Sequence, residues 1–218
     1  MRFRIDLKIF IFLIIFYFTK QIEIYVYLML FAFIHEIGHL IAGLALGMKP
    51  EKIEIMPFGF SLSFKTNVKD FNKKIKKGNI LGIKKIIVAF AGPFTNLIII
   101  LITSHINIDI IKQLMIIYTN FLIFAFNLIP IYPLDGGRIL KEFLHINIGI
   151  QKTEKIIFLI SNIVLWVVSI LIIILAIYTK NLAYVLVIGY LWLLAIKENL
   201  IYKRKQLIYK KILENKSI

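Results

Sequence analysis

Long apolar stretches separated by short polar ones dominate this chain, and they predict helices that cross a membrane. A spanning helix needs about 20 mainly apolar residues, because the hydrocarbon core of a bilayer is about 30 Å thick. By that criterion we predict six spans, of which the first and last are short. They cover residues 5–19, 22–48, 86–103, 112–130, 156–178 and 182–196. The predicted fold class is an all-α polytopic membrane protein.

One segment after the second span departs from the helical period. Residues 53–64 alternate between apolar and polar positions, and Pro57 to Gly59 provides a turn. We therefore predict a small β-hairpin at the inner membrane interface. Two roles remain open for it: its aromatic side chains only hold the chain at the interface, or its free edge pairs with an extended peptide by strand addition.

Composition agrees with a membrane protein, since 60% of the 218 residues are hydrophobic and the mean hydropathy is +0.85. The net charge of +15 also fits. With six spans, 24 of the 27 Lys and Arg residues fall on the side that holds both termini. The positive-inside rule then makes that side cytoplasmic. The charge therefore needs no nucleic-acid partner, although the basic segments 65–85 and 202–211 could also bind anionic membrane lipids.

The most unusual polar residues lie inside the second span, in the sequence His35-Glu-Ile-Gly-His39. Two histidines four residues apart lie on one face of a helix and can bind a single metal ion, and Glu36 is close enough to act on a water at that metal. The alternative is that each histidine is a hydrogen-bonded core residue. Charged groups at membrane depth are costly and usually functional, which favours the metal. The chain has no cysteine, so a thiolate site is excluded.

A second group of polar residues follows the fourth span. Two prolines and two glycines between residues 130 and 137 predict an irregular segment whose backbone must face protein or water. Asp135 can complete a two-histidine, one-carboxylate zinc site, and Asn127 can donate to a developing oxyanion. The competing interpretation of Asp135 is a turn residue that caps a following helix.

The third span contains Gly92-Pro93, which we expect to interrupt its helix, and a polar residue, Asn96. This break is expected to face the interior of the bundle. A structural kink and a direct role at the site both remain open. His105 and His145 lie in predicted loops without partners, and neither is assigned a role.

Together, His35-Glu-Ile-Gly-His39, Gly92-Pro-x-x-Asn96 and Asn127 to Gly137 resemble the site-2 protease family of intramembrane zinc metalloproteases (peptidase M50). Residues 22–145 carry the resemblance, and the closest branch is the bacterial stage IV sporulation protein FB. The resemblance implies a protease that cleaves a membrane-bound sigma-factor precursor, and inhibitory membrane proteins as partners. The alternative within the family is a site-2-type protease that cleaves an anti-sigma factor.

Two features depart from relatives in that family. Residues 49–85 are too few to hold a PDZ module, and a C-terminal nucleotide-binding CBS domain is not expected. We therefore predict one protease domain over residues 1–200 and a basic cytoplasmic tail over 201–218.

The predicted mechanism is hydrolysis of a peptide bond near the cytoplasmic face. One Zn²⁺ per chain would be held by His35, His39 and Asp135, with Glu36 as general base and Asn127 as oxyanion donor. Two alternatives from other classes are a metal transporter, in which the same ligands form a transit site, and a catalytically silent scaffold. The later spans contain few polar residues, which argues against transport, and the presence of Glu36 argues against the scaffold.

Overall fold

The structure is a computed structural model that describes residues 2–57, 59–65, 75–106, 108–180 and 183–214. The chain divides into two compact units, Met1–Ile129 and Pro130–Ile218, which are described in turn. Five helices in the described ranges are long and apolar enough to cross a membrane. This supports the polytopic class, but it does not confirm six spans.

The first unit contains the predicted hairpin and four helices. Its elements are β1 (Arg2–Ile5), α1 (Lys8–Phe18), α2 (Ile22–Ala45), β2 (Lys49–Met56), β3 (Gly59–Lys65), α3 (Ile75–His105) and α4 (Ile110–Leu128). The first predicted span, 5–19, differs most from this order. Its residue Ile5 belongs to a strand, and α1 has only 11 residues. A helix of that length is about 16 Å long, too short to cross the hydrocarbon core alone.

The hairpin is confirmed and is part of a larger sheet. β2 and β3 pair antiparallel, and β1 adds in parallel to the other side of β2, giving the order β1-β2-β3. The Phe60 ring packs on Phe33, and Phe64 lies against Gly43. At the turn, the hydroxyl of Tyr25 donates a 2.8 Å hydrogen bond to the carbonyl of Pro57. The sheet therefore lies along the length of α2. Phe58 and residues 66–74 of the basic run fall outside the described residues.

The third helix corrects another expectation. α3 runs without a break from Ile75 to His105 and contains Pro93 in its interior. The predicted interruption at Gly92-Pro93 is therefore wrong. A proline removes one backbone hydrogen bond, but the helix continues on both sides of it. Its buried face packs against the other helices of the unit and carries Ala89, Gly92 and Asn96.

Apolar packing holds α2, α4 and the sheet together next to the polar residues of α2. Phe31, Ala32 and Ile123 form a buried cluster, and Phe60 of β3 is among the partly buried residues packed against it. Large apolar side chains on the outside, such as Phe94 and Phe121, are about half exposed. An apolar exterior of this kind is expected for helices that face lipid.

The second unit contains α5 (Asp135–Ile148), α6 (Ile150–Thr179) and α7 (Ala183–Glu214). α6 and α7 correspond to the fifth and sixth predicted spans, and α7 continues into the basic tail. The reciprocal amide pair Asn162 and Asn199 joins these two helices, and Lys205 bonds to the buried Glu154 at 2.6 Å. α5 was expected only in the alternative interpretation of Asp135. At 14 residues it is about 21 Å long, so it is too short to span.

Candidate metal centre

The two histidines of α2 are positioned as their spacing predicts. His35 and His39 are 4% and 3% exposed, and their Nε2 atoms lie 3.1 Å apart. The rings are nearly perpendicular, at 87°. Each ring therefore directs the same type of nitrogen to one point inside the first unit.

The other nitrogen of each ring is occupied by an acceptor. Nδ1 of His39 donates to the backbone carbonyl of Val88 at 2.6 Å, and Nδ1 of His35 donates to Oδ1 of Asn96 at 2.5 Å. Bonds of this kind fix the tautomer and orientation of metal-binding histidines. With the proton on Nδ1, the Nε2 atom of each ring carries the lone pair that would coordinate a metal ion.

Glycine on α3 makes room for the two rings. A Cβ at Gly92 would lie 2.4 Å from Nε2 of His39 and 2.5 Å from Nε2 of His35. On α2, a Cβ at Gly38 would lie 2.1 Å from the hydroxyl of Thr95. α2 and α3 therefore approach so closely at the histidines that no larger residue fits at either position.

Glu36 lies one residue from His35 on the same helix turn. The residue is half-buried and its Oε2 atom is buried. A carboxylate next to two histidines on a helix fits the role of a general base for an attacking water.

The amide of Asn96 links His35 to a residue of α4 that the sequence did not predict. A structural kink and a direct role were both open for this residue. Its Oδ1 accepts the hydrogen bond from Nδ1 of His35 and so orients that ring. Its Nδ2 donates at 2.8 Å to Oδ1 of Asn120, a residue of α4 that the sequence analysis did not select. Both asparagines are 0% exposed. A polar residue at mid-span could have identified Asn120, since α4 is otherwise largely apolar.

Asp135 belongs to the second unit, where the irregular segment after α4 leads into α5. It is the first residue of the helix and is 4% exposed. Leu134, not Asp135, is the N-cap, so the capping interpretation is wrong in detail although a helix does follow. The negative carboxylate at a helix N-terminus is stabilised by the helix dipole. Arg138 approaches it at 3.5 Å.

The segment before α5 is tightly packed against its first turn. A Cβ at Gly137 would lie 2.5 Å from backbone atoms of Ile131 and Tyr132, so only glycine fits there. The amide of Tyr132 donates to the hydroxyl of Ser161 on α6 at 3.0 Å. These contacts hold the backbone that carries Asp135, as the two glycines and two prolines of the sequence predicted.

Asn127, His105 and His145 make hydrogen bonds or ion pairs with residues of their own helices. Asn127 donates its amide to the carbonyl of Ile123 on its own helix at 3.0 Å. His105 bonds to the carbonyl of Leu101, and His145 lies 3.6 Å from Glu142. His105 is the last residue of α3 and His145 lies within α5, so the prediction that both lie in loops without partners is wrong.

Comparisons with known proteins bear on the reaction. Residues 103–171 match the sequence profile of Peptidase family M50, a range that includes Asn127 and Asp135. The zinc metalloprotease MJ0392 of Methanocaldococcus jannaschii is 34% identical over 130 residues. The alignment covers 56% of this chain and 34% of the relative, so the chain spans about a third of that protein's length.

A solved structure shares the fold. The site-2 protease from Methanocaldococcus jannaschii superimposes with a TM-score of 0.65 and 22% sequence identity, covering 89% of this chain and 88% of that one. At this identity the likeness concerns the fold, and none of the comparisons reaches the sporulation branch.

Proposed function

We propose that this protein is an intramembrane zinc metalloprotease that hydrolyses a peptide bond of a membrane-associated protein. One observation carries the proposal. His35 and His39 have both Nδ1 atoms committed to acceptors and both Nε2 atoms directed to one point, beside the carboxylate-bearing Glu36. Two ordinary core histidines would have no need for ring nitrogens that converge to 3.1 Å.

The proposed ligands of one zinc ion are His35, His39 and Asp135. The proposal joins the two buried histidines of the first unit to Asp135, which is buried in the second. Two imidazoles and one carboxylate are a common ligand set for catalytic zinc. When bound, zinc polarises a carbonyl and lowers the pKa of a coordinated water toward neutrality.

Glu36 is the proposed general base. Its carboxylate takes a proton from the water that attacks the scissile carbonyl and delivers it to the nitrogen of the leaving amine. Asn127 is the proposed donor to the carbonyl oxygen as that oxygen becomes negative. One hydrogen of its amide is used by Ile123, and the second is available for this bond.

The hairpin is the proposed substrate holder. A helical substrate has its carbonyls in hydrogen bonds, so it must be extended before attack. In the described sheet β3 is an edge strand, and its phenylalanines already pack along α2 beside the histidines. An extended peptide can add to that edge. Ser61→Pro should then slow cleavage at unchanged zinc content, and an unchanged rate would contradict this role.

The finer features of the proposal rest on the sequence. The distribution of Lys and Arg supports two cytoplasmic termini and a cleavage site near the cytoplasmic face. The resemblance supports a bacterial cell membrane. The resemblance supports a sporulation sigma-factor precursor as substrate and inhibitory membrane proteins as regulators.

The test is co-expression with candidate membrane-bound sigma precursors. Glu36→Gln should retain zinc and abolish cleavage, because the amide cannot accept the proton. Glu23→Gln is the matched control, since Glu23 is an exposed carboxylate on the same helix, and it should cleave normally. Normal processing by Glu36→Gln would remove the general-base role. Zinc flux into liposomes that is independent of Glu36 would favour a transporter.

A further inference from the structure

We propose that Asn120 is a positioning residue that, through Asn96, sets the tautomer and ring orientation of His35. The proposal rests on the zinc site described above and adds a residue that lies on α4 and does not touch the ligands. Four groups form a continuous chain of hydrogen bonds: His35 to Asn96, Asn96 to Asn120, and Asn120 to the backbone carbonyl of Ile116.

The direction of this chain is fixed at its far end. A backbone carbonyl only accepts hydrogen bonds, so the atom of Asn120 that lies 2.9 Å from the carbonyl of Ile116 must be the amide nitrogen. The oxygen of Asn120 then faces Asn96 and accepts from its nitrogen at 2.8 Å. The oxygen of Asn96 must therefore face Nδ1 of His35.

The orientation of Asn96 decides whether His35 can bind a metal. With its oxygen toward the ring, Asn96 favours a proton on Nδ1, and Nε2 keeps its lone pair for coordination. A flipped Asn96 would present N–H groups to Nδ1. Those donors favour the tautomer with the proton on Nε2, which is the nitrogen that faces His39. An asparagine side chain has nearly the same shape in both orientations, so packing alone does not select between them.

His39 reaches the same result with one bond. Its Nδ1 donates directly to the carbonyl of Val88, and a carbonyl has no flipped form. At His35 the acceptor is the amide oxygen of Asn96, and two buried amides link the ring to the carbonyl of Ile116. Both amides are 0% exposed, so water does not compete for their hydrogen-bonding groups.

The experiment measures zinc affinity by chelator competition for the full-length protein in detergent. Asn120→Leu removes the acceptor for Asn96 and should weaken zinc binding about 10- to 100-fold, the usual effect of losing a group that orients a ligand. Asn120→Asp keeps an acceptor at the same position and should restore affinity to within about threefold of wild type.

Thr119→Val is the matched control. Thr119 is also buried, at 1% exposure, and its hydroxyl bonds only within α4, to the carbonyl of Met115 at 2.7 Å. The variant removes a buried hydrogen bond from the same turn but leaves the chain to His35 intact, so zinc affinity should not change. An equal loss in Thr119→Val would show a general effect of destabilising α4 and would overturn the proposal.

A second readout does not depend on zinc. Nitrogen NMR of ¹⁵N-histidine in the metal-free protein should show His35 as a single Nδ1-protonated tautomer in wild type and Asn120→Asp. In Asn120→Leu, His35 should show mixed tautomers, while His39 remains unchanged. A single Nδ1-protonated His35 in Asn120→Leu would contradict the proposal. If wild type binds no zinc, the proposed function fails, and this spectrum still decides the role of Asn120.

Discussion

The two halves of the proposed zinc site are constructed in different ways. His35 and His39 are carried by one helix, and their separation follows from the helical repeat. Asp135 is carried by an irregular segment and the first turn of a short helix, and its position depends on contacts between distant residues. The positions of the histidines are therefore set by their own helix, and their ring orientations are set by partners on α3 and α4. The aspartate half is specified by close backbone packing.

The largest loss of zinc affinity is expected at Gly92, where α3 packs directly against the two histidine rings. Gly92→Ala would place a methyl group within 2.5 Å of both imidazoles, so at least one ring must rotate away. We expect zinc affinity to fall by more than about 100-fold, since even residues that only orient a ligand are worth 10- to 100-fold. The measurement is chelator competition.

Gly189→Ala is the control for that variant. It makes the same substitution in helix α7, where an added Cβ meets nothing within 4 Å, and it should bind zinc as wild type does. Wild-type affinity in Gly92→Ala would show that the histidines do not bind the metal in the orientation described.

A smaller effect is expected in the loop-borne half. Gly137→Ala would bring a Cβ to 2.5 Å from the backbone of Ile131 and Tyr132, and the segment must shift to relieve the contact. Because the two histidines keep their positions, we expect zinc affinity to fall about 10-fold, within the range for groups that position a ligand. A loss as large as that of Gly92→Ala would mean that the two halves are not independently specified.

The smallest effect is expected at the ion pair of Asp135. Arg138 lies 3.5 Å away, and its side chain is 35% exposed. Exposed pairs contribute about 0.2–1 kcal/mol, so Arg138→Met should change zinc affinity by less than about fivefold. The same chelator titration measures it. A change above tenfold would contradict this expectation, because it would mean that Arg138 holds the carboxylate of Asp135 in place.

The same contrast explains what the sequence could predict. The period of 3.6 residues placed His35 and His39 together, and the alternation over 53–64 predicted the hairpin, because both patterns are local. The irregular segment before Asp135 was also predicted, since proline and glycine act on their own backbone.

Tertiary partners were beyond local patterns. β1 was not predicted, because nothing in Arg2–Ile5 identifies its partner β2. α3 continues through Pro93, although the local sequence favours a break there. The two histidines bond to the carbonyl of Val88 and to the amide oxygen of Asn96, which in turn bonds to Asn120. These partners are distant in sequence, and no spacing rule predicts them.

The most direct test of the zinc site is the zinc affinity of Asp135→Asn, because it asks whether both halves act on one ion. The control is Asp109→Asn, which alters the exposed N-cap of α4 while keeping an oxygen for the amide of Ile111. The account predicts that Asp135→Asn weakens zinc binding by more than about 100-fold and that Asp109→Asn binds normally. Unchanged zinc affinity and normal cleavage in Asp135→Asn would contradict it.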